Sequence, residues 1–223
     1  ADTKLCADDT FKYVNTVQGL FPNPIGKHAD KQQTAKVLKL FKFMGQFVGR
    51  AILDGRLLNL PFSRPFLKLF TEHKLNFHDL NDIDPVLYKS LSEMYEVCEE
   101  ASKIKNDTTL SNKEKKAATK ALTYRDCKIE DLCLDFTLPG HGDIELIKKG
   151  ADTPVTIWNL RSYLDSILMT FLEYGIHQQI VAFKEGFSQL IDIHSMSVFT
   201  PSEINSFLCG TMEKWTPKLL HAA

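Results

Sequence analysis

The stretch from Leu40 to Pro61 places the strongest constraint on the fold, because it combines an amphipathic helix with two glycines on one helical face. Apolar side chains recur there and just before it at helical spacing: Val37, Leu40, Phe41, Met44, Phe47, Val48, Ala51 and Ile52. Gly45 and Gly49 lie four residues apart and would let a neighbouring backbone approach closely. Gly55 is predicted to end this helix.

Capping signatures predict where other helices begin. They are Asp30 with Gln33, Ser63 with Pro65, Asp84 with Pro85, Ser111 with Glu114, and Thr200 with Pro201 and Glu203. The caps at Asp84 and Ser111 predict a helical hairpin over residues 84–123. A later helix follows Pro154, and Gly175 is predicted to close it as a left-handed cap.

Residues 132–138 alternate apolar and polar side chains, which is the period of a strand with one buried face. The apolar positions are Leu132, Leu134, Phe136 and Leu138. Residues 139–143 are predicted to turn, and residues 144–147 to return as the partner strand. The predicted fold class is therefore mainly α with short β-hairpins, an α+β fold.

Charge and cysteine content exclude several function classes. The net charge of -1 gives no reason to expect a nucleic acid or an anionic membrane as partner. No apolar run approaches the roughly 18 residues of a membrane span. The five cysteines, at positions 6, 98, 127, 133 and 209, form no pairable pattern and favour a reducing compartment.

The sequence contains no recognisable catalytic or metal-binding constellation. None of the cysteines stands in a setting that would stabilise a thiolate, so structural or incidental thiols are the favoured interpretation. His73 and His78 are five residues apart, and no CxxC pair is present, so neither a metal nor any other cofactor is predicted. Lysines between Lys103 and Lys120 are interleaved with acidic residues, as on a solvated face.

Binding to a protein remains as the possible function of several periodic apolar residues. Leu87 and Leu91 share a helix face, Leu132 and Leu134 a strand face, and Tyr163 and Ile167 a later helix. Periodic apolar positions are usually buried, so each fits a core at least as well as an interface. The residues alone leave both interpretations open.

Five ordered blocks resemble the HECT family of ubiquitin ligases, in its amino-terminal lobe. They are LFKFMGQFVGRAILDGRLLNLP at 40–61, NFHDLNDIDPVLYKSL at 76–91, DLCLDFTL at 131–138, GIHQQIVAFKEGF at 175–187 and EINSFLCG at 203–210. Residues 134–156 are most similar to ligases of the ubiquitin-fusion degradation pathway. The resemblance implies a large helical subdomain, residues 1–75 and 176–223, with a small inserted subdomain, residues 76–175.

The resemblance also implies a function. In HECT ligases this lobe recruits a ubiquitin-charged conjugating enzyme, and a second lobe carries the cysteine that accepts ubiquitin. The family's recruiting groove corresponds by alignment to Leu87, Leu91, Val97, Leu132, Leu134, Tyr163 and Ile167. The expected partners are the conjugating enzyme, ubiquitin and a protein substrate bound through other regions, in the cytoplasm or the nucleus.

The catalytic cysteine of the family is expected to lie outside this chain. No cysteine stands in the threonine-cysteine-phenylalanine setting of the family's nucleophile, so we expect no catalytic residue here and no activity of this chain alone. Two alternatives are a truncated, non-catalytic module that binds or sequesters conjugating enzymes, and an unrelated helical scaffold. A reading frame that continues into a cysteine-containing lobe would separate the ligase from the truncated module.

Overall fold

The computed structural model describes residues 14–15, 19–26, 29–58 and 60–210, with backbone only for residues 14 and 15. Its α-helices are α1 (Lys31–Leu53), α2 (Arg64–Phe70), α3 (Pro85–Asn106), α4 (Asn112–Lys120), α5 (Leu160–Met169), α6 (His177–Phe187) and α7 (Pro201–Cys209). Its strands are β1 (Val14–Asn15), β2 (Phe21–Pro22), β3 (Thr137–Leu138) and β4 (His141–Glu145). β1 pairs with β2 and β3 with β4, both antiparallel. The predicted class, mainly helical with short hairpins, is confirmed.

Short helical segments of other types connect these elements. Four 3₁₀ segments span Phe77–Asp82, Ile129–Leu132, Gly150–Asp152 and Ile193–Val198. A single π-helical turn, Thr170–Tyr174, follows α5 directly. Such a turn inserts one extra residue into a helix and is common at functional positions.

Helices α1 and α6 pack so closely that glycine is required on both sides. A Cβ atom at Gly45 would overlap the carbonyl oxygen of Phe183 and lie 2.8 Å from the amide nitrogen of Phe187. A Cβ atom at Gly186 would overlap the carbonyl oxygen of Lys42. The close backbone approach predicted at Gly45 is therefore confirmed, and Gly186 is its counterpart on α6.

The second predicted glycine, Gly49, has a different role. A Cβ atom there would contact side chains of α6 and the residues after it, Phe187 and Leu190, at 3.3–3.4 Å. Polar pairs follow the same helix crossing. Lys42 Nζ lies 3.3 Å from Glu185 Oε2, and the Gln46 side-chain amide donates to Gln189 Oε1 at 2.8 Å.

Five phenylalanines form the core beside this crossing. Phe62 and Phe66 stack with ring centroids 4.7 Å apart, and Phe183 meets Phe66 edge-on at 5.0 Å. Phe70 meets both Phe183 and Phe187 edge-on. These offset and edge-to-face geometries are the ones that aromatic pairs prefer. They join α2 to α6.

The predicted helix caps are confirmed. Asp30, Ser63, Asp84, Ser111 and Thr200 each accept a hydrogen bond from a backbone amide in the first turn of α1, α2, α3, α4 and α7. The helical hairpin predicted for residues 84–123 is formed by α3 and α4. α3 ends at Asn106 and α4 at Lys120, both within the predicted range.

The predicted strand over residues 132–138 is wrong for most of its length. Residues 129–132 form a 3₁₀ segment, and Cys133 adopts a left-handed conformation with φ of 52°. Only Thr137 and Leu138 pair with β4, which begins at His141, earlier than the predicted residue 144. A left-handed residue interrupts the pleat, so alternation of side chains here does not require a continuous strand.

Two further expectations are corrected. Gly175 has φ of −69°, so it is no left-handed cap. Glycine fits there because a Cβ atom would lie 2.7 Å from Pro24 Cβ. In α1, Leu40 and Phe47 were predicted to be apolar core positions, yet they are 53% and 47% exposed because they lie on the face directed away from α6.

None of the helices in the described part of the chain combines the length and the apolar character needed to cross a bilayer.

The α1–α6 crossing generates a stability prediction. Gly45→Ala and Gly186→Ala should each lower the free energy of unfolding by about 1–3 kcal/mol or more, because the added methyl group meets a backbone carbonyl. Alanine's helix propensity, worth about 1 kcal/mol, acts in the opposite direction and is outweighed. Urea unfolding followed by circular dichroism measures the change.

Gly142→Ala is the matched control, because no atom lies within 4 Å of a Cβ at that position. It should change the free energy of unfolding by less than about 0.5 kcal/mol. Equal stability of all three variants would contradict the close crossing.

Candidate partner-docking site

We call residues 76–175 the small unit and the described residues before and after it the large unit. The boundaries are those predicted from the sequence, and the division into subdomains stays a prediction. Helices α3 and α5 pack together in the small unit. The Tyr95 hydroxyl donates to Asp165 at 2.7 Å, and the Arg161 guanidinium lies 4.8 Å from the Tyr95 ring centroid. Burial and this hydrogen bond raise the pKa of Tyr95.

The seven residues predicted to bind a conjugating enzyme all belong to, or pack against, one hydrophobic core. Four of them are buried: Leu91, Val97, Tyr163 and Ile167. The other three are partly buried: Leu87, Leu132 and Leu134. Only these three, of the seven, offer appreciable side-chain surface to a partner. The role of the seven in binding stays a prediction, and burial divides them into two groups.

Leu132 and Leu134 lie on a segment that is held firmly by hydrogen bonds. The Leu134 carbonyl accepts from the Val155 amide at 2.8 Å. The Glu130 side chain accepts from the Ile157 amide at 3.1 Å. The residues leading into α5 therefore fix the position of the leucine segment, and a partner would meet a surface that is already formed.

Tyr163, one of the four buried residues, packs against this segment. The Tyr163 ring meets Phe136 edge-on, with centroids 5.4 Å apart. Burial, with a smaller contribution from the Asp135 carboxylate, raises the pKa of Tyr163 to about 12. Tyr163 is therefore a neutral core residue at physiological pH, and its ring supports the segment that carries Leu134.

Trp158 is an exposed aromatic residue that the sequence patterns did not single out. It is 57% exposed, although its neighbour Ile157 is buried. It stands at the rim of a cleft of about 930 Å³ between α1 and α5. Its signal in the sequence was weak, because it lies in a turn before α5 and belongs to no apolar period.

The described thiols differ in exposure. Cys98 is buried, and burial raises the pKa of its thiol to about 11. Cys127 and Cys133 are exposed, and Cys209 is partly buried with its sulfur 3.4 Å from the Leu60 carbonyl oxygen. Cys6 lies outside the described residues. A raised pKa and a buried sulfur make Cys98 a poor nucleophile.

The histidines weighed as metal ligands have other partners. His73 Nδ1 lies 2.9 Å from the Thr71 hydroxyl, and His78 Nδ1 lies 3.1 Å from the Tyr88 hydroxyl. Within the described ranges, no group of three or more His, Cys, Asp or Glu side chains is arranged to hold a metal ion.

The sequence model of the HECT-domain (ubiquitin-transferase) family matches residues 5–223. The E3 ubiquitin-protein ligase TRIP12 of Danio rerio is 37% identical over 212 residues, which cover 94% of this chain and 10% of that protein. The E3 ubiquitin-protein ligase UPL3 of Arabidopsis thaliana is 37% identical over 210 residues, 91% of this chain and 10% of that protein. Ubiquitin fusion degradation protein 4 of Saccharomyces cerevisiae is 28% identical over 233 residues, 98% of this chain and 14% of that protein.

The chain spans about a tenth of the length of the curated relatives it matches. Their names include ubiquitin fusion degradation proteins, so the resemblance to that subgroup is confirmed. The helical architecture agrees with the fold that the resemblance implies. With a family match over nearly all of its residues and two ligases at 37% identity, this chain belongs to the HECT-domain (ubiquitin-transferase) family.

Proposed function

We propose that the small unit docks a ubiquitin-charged conjugating enzyme, and that the parent protein transfers this ubiquitin to a substrate lysine. One observation carries the proposal. Leu132 and Leu134 are partly exposed on a segment fixed by two hydrogen bonds above a buried apolar layer. Membership of a ubiquitin-transferase family supplies the class of partner.

We assign the seven predicted residues to two roles. Leu87, Leu132 and Leu134 are the proposed contacts, because they retain exposed surface. Leu91, Val97, Tyr163 and Ile167 are proposed to support the groove from beneath, since buried side chains have little surface to offer. A contact area built on so few anchors is smaller than the standard interface of about 1,600 Å², which suits a partner that must leave after discharging its ubiquitin.

Ubiquitin transfer itself is assigned to a cysteine elsewhere in the parent protein. Cys98 is buried with a raised pKa, and the Cys133 thiol donates to the Asp131 carbonyl oxygen at 3.8 Å, with no cationic residue within two positions of it in the sequence. Neither environment stabilises a thiolate, which is the form that attacks a thioester. We therefore propose no catalytic residue among the described thiols.

The remaining partners and the compartment follow from the same proposal. Ubiquitin would arrive on the conjugating enzyme, and a protein substrate would bind through other regions of the parent protein. The proposed compartment is the cytoplasm or the nucleus. The four described cysteines are free thiols, as expected for a reducing environment.

The first prediction concerns affinity. Leu87→Ala, Leu132→Ala and Leu134→Ala should each weaken binding of a conjugating enzyme about tenfold or more, because truncation of a central apolar anchor costs about 2 kcal/mol. Titration of isotopically labelled conjugating enzymes of several classes, followed by chemical-shift changes, measures the affinity.

Leu53→Ala is the matched control for these variants, because Leu53 is 56% exposed and lies at the end of α1 in the large unit. Affinities equal to that of Leu53→Ala would overturn the groove assignment. Tyr163→Ala is unsuitable as a probe, since loss of a buried side chain costs about 2–5 kcal/mol of stability on its own.

The second prediction uses the natural thiols as reporters. Cys133 stands between two proposed contact residues and should be alkylated several-fold more slowly when a conjugating enzyme is bound. Cys127, which is also exposed, should react at an unchanged rate, and Cys98 should react slowly throughout. Peptide mass spectrometry measures each rate, with the catalytic cysteine of the conjugating enzyme replaced by lysine. Equal rates at Cys133 with and without saturating partner would contradict docking at this segment.

The third prediction concerns transfer. When the chain is mixed with activating enzyme, conjugating enzyme, ubiquitin and ATP, no band that reductant removes should appear at the mass of the chain plus ubiquitin. Non-reducing electrophoresis detects such a thioester. A thioester on any thiol of this chain would refute the assignment of transfer to another part of the parent protein.

A further inference from the structure

Two short connections carry the chain between the large and the small unit. The first, residues 71–76, contains Glu72, whose φ of 62° lies in the left-handed region that non-glycine residues seldom adopt. The second is the π-helical turn Thr170–Tyr174, closed by a hydrogen bond from the Gly175 amide to the Thr170 carbonyl at 3.0 Å. Both connections therefore have irregular backbone geometry at the boundary between the units.

Open clefts lie beside these connections. One, of about 930 Å³, separates α1 at Thr34 and Leu38 from α5 at Ser162 and Ser166. The other, of about 580 Å³, separates α6 at His177 and Val181 from the end of α5. Met169 lines both clefts. Protein interiors seldom contain voids much larger than a water molecule, so these clefts mark where the two units do not pack directly.

Direct contacts between the units include an ion pair and, beside the π-helical turn, a backbone hydrogen bond from the Ile25 amide to the Gly175 carbonyl at 2.7 Å. Lys68 Nζ of α2 lies 2.5 Å from Asp79 Oδ1 in the 3₁₀ segment of the small unit. The two side chains are 20% and 6% exposed, so water screens the pair only weakly. Asp79 is itself held by the amide of Asn76, 2.8 Å from its other oxygen. The pair therefore joins α2 to the first turn of the small unit.

A further contact is apolar. A Cβ atom at Gly26 would lie 3.2 Å from Ile144 Cγ1, so β4 of the small unit touches the strand-to-helix connection of the large unit. Apolar surfaces of this kind tolerate small sliding movements, because dispersion contacts have no fixed direction. The Ile25–Gly175 hydrogen bond lies next to the π-helical turn, where a rotation displaces atoms least, so the Lys68–Asp79 ion pair is the directional contact that a rotation would alter more.

We infer that the small unit rotates as one body about residues 71–76 and the π-helical turn, and that the Lys68–Asp79 ion pair is the latch that holds the arrangement seen here. The rotation changes the width of both clefts and moves Leu87, Leu132 and Leu134 together. Its value for ubiquitin transfer rests on the proposed docking function, because it would re-aim the docked conjugating enzyme. Its physical basis and its test do not depend on that function.

Pulsed electron-electron double resonance measures the distribution of distances between two spin labels. With bio-orthogonally attached labels, it tests the rotation without altering the cysteines. Exposed Lys116 on α4 and Lys39 on α1 report the distance between the units. The pairs Lys39 with Asn205, and Lys116 with Asp152, report distances within each unit. We expect the distribution between the units to be about twofold broader than either internal one, since hinge motions displace whole elements. Equal widths in the unaltered chain would overturn the rotation.

The latch is tested by Lys68→Met, which removes the charge and keeps most of the length of the side chain. It should broaden the Lys116–Lys39 distribution further and leave both internal distributions unchanged. Lys42→Met is the matched control, because the Lys42–Glu185 ion pair lies within the large unit and both partners are exposed. An unchanged distribution in folded Lys68→Met would overturn the latch.

The two outcomes are separate from the docking proposal. A broad Lys116–Lys39 distance distribution together with unchanged affinity of Leu132→Ala supports the rotation and refutes the groove. A narrow distance distribution together with reduced affinity of Leu132→Ala refutes the rotation and supports the groove. Circular dichroism verifies that each variant is folded. If Lys68→Met does not fold, the unaltered chain still decides the rotation, and Lys68→Arg, which changes the reach of the cation, replaces it as the test of the latch.

Discussion

The close contact between α1 and α6 is the interaction on which the rest of the structure depends. Gly45 and Gly186 each face a backbone carbonyl of the other helix, so the two backbones meet with no side chain between them. This contact places Phe183 and Phe187 of α6 against the phenylalanines of α2 and its preceding loop. Elements far apart in the sequence thus form one core, to which the small unit is attached.

The small unit reaches its shape by different means. Its helices α3 and α5 are joined by a tyrosine–carboxylate hydrogen bond and a cation–π contact at their periphery, and by apolar packing at their centre. The proposed docking leucines lie on irregular backbone outside these helices. A rigid helical base therefore supports a short segment whose conformation is set by hydrogen bonds to residues 155 and 157.

Local sequence chemistry was sufficient to predict the helices. Each predicted cap depends on a side chain bonding an amide two or three residues away, and interactions of this range are visible in a linear sequence. The prediction of a strand over residues 132–138 was wrong, because alternation of apolar and polar residues alone cannot reveal a left-handed residue such as Cys133. The prediction that Gly175 is a left-handed cap was wrong for a related reason. A Cβ atom at Gly175 would lie 2.6 Å from the Thr170 carbonyl oxygen and 2.7 Å from Cβ of Pro24, a residue distant in the sequence, and no local pattern reports the second contact.

The candidate site could be predicted only in part. Resemblance to the family supplied all seven residues, and their role in binding stays a prediction. The sequence could not separate the four buried residues from the three that keep exposed surface, because periodic apolar residues look alike in either setting. Exposure of Trp158 depends on how the turn before α5 is held, which is again a tertiary property.

The irregular backbone around Cys133 has an evolutionary consequence. Leu132 and Leu134 lie outside the paired strands, so neither belongs to a row of regular cross-strand side-chain pairs that a replacement would disturb. Leucines 132 and 134 can therefore diverge between related ligases at a smaller cost in folding than residues of the layer beneath. Under the proposed docking function, selectivity for different conjugating enzymes can evolve on this segment while the helical base stays the same.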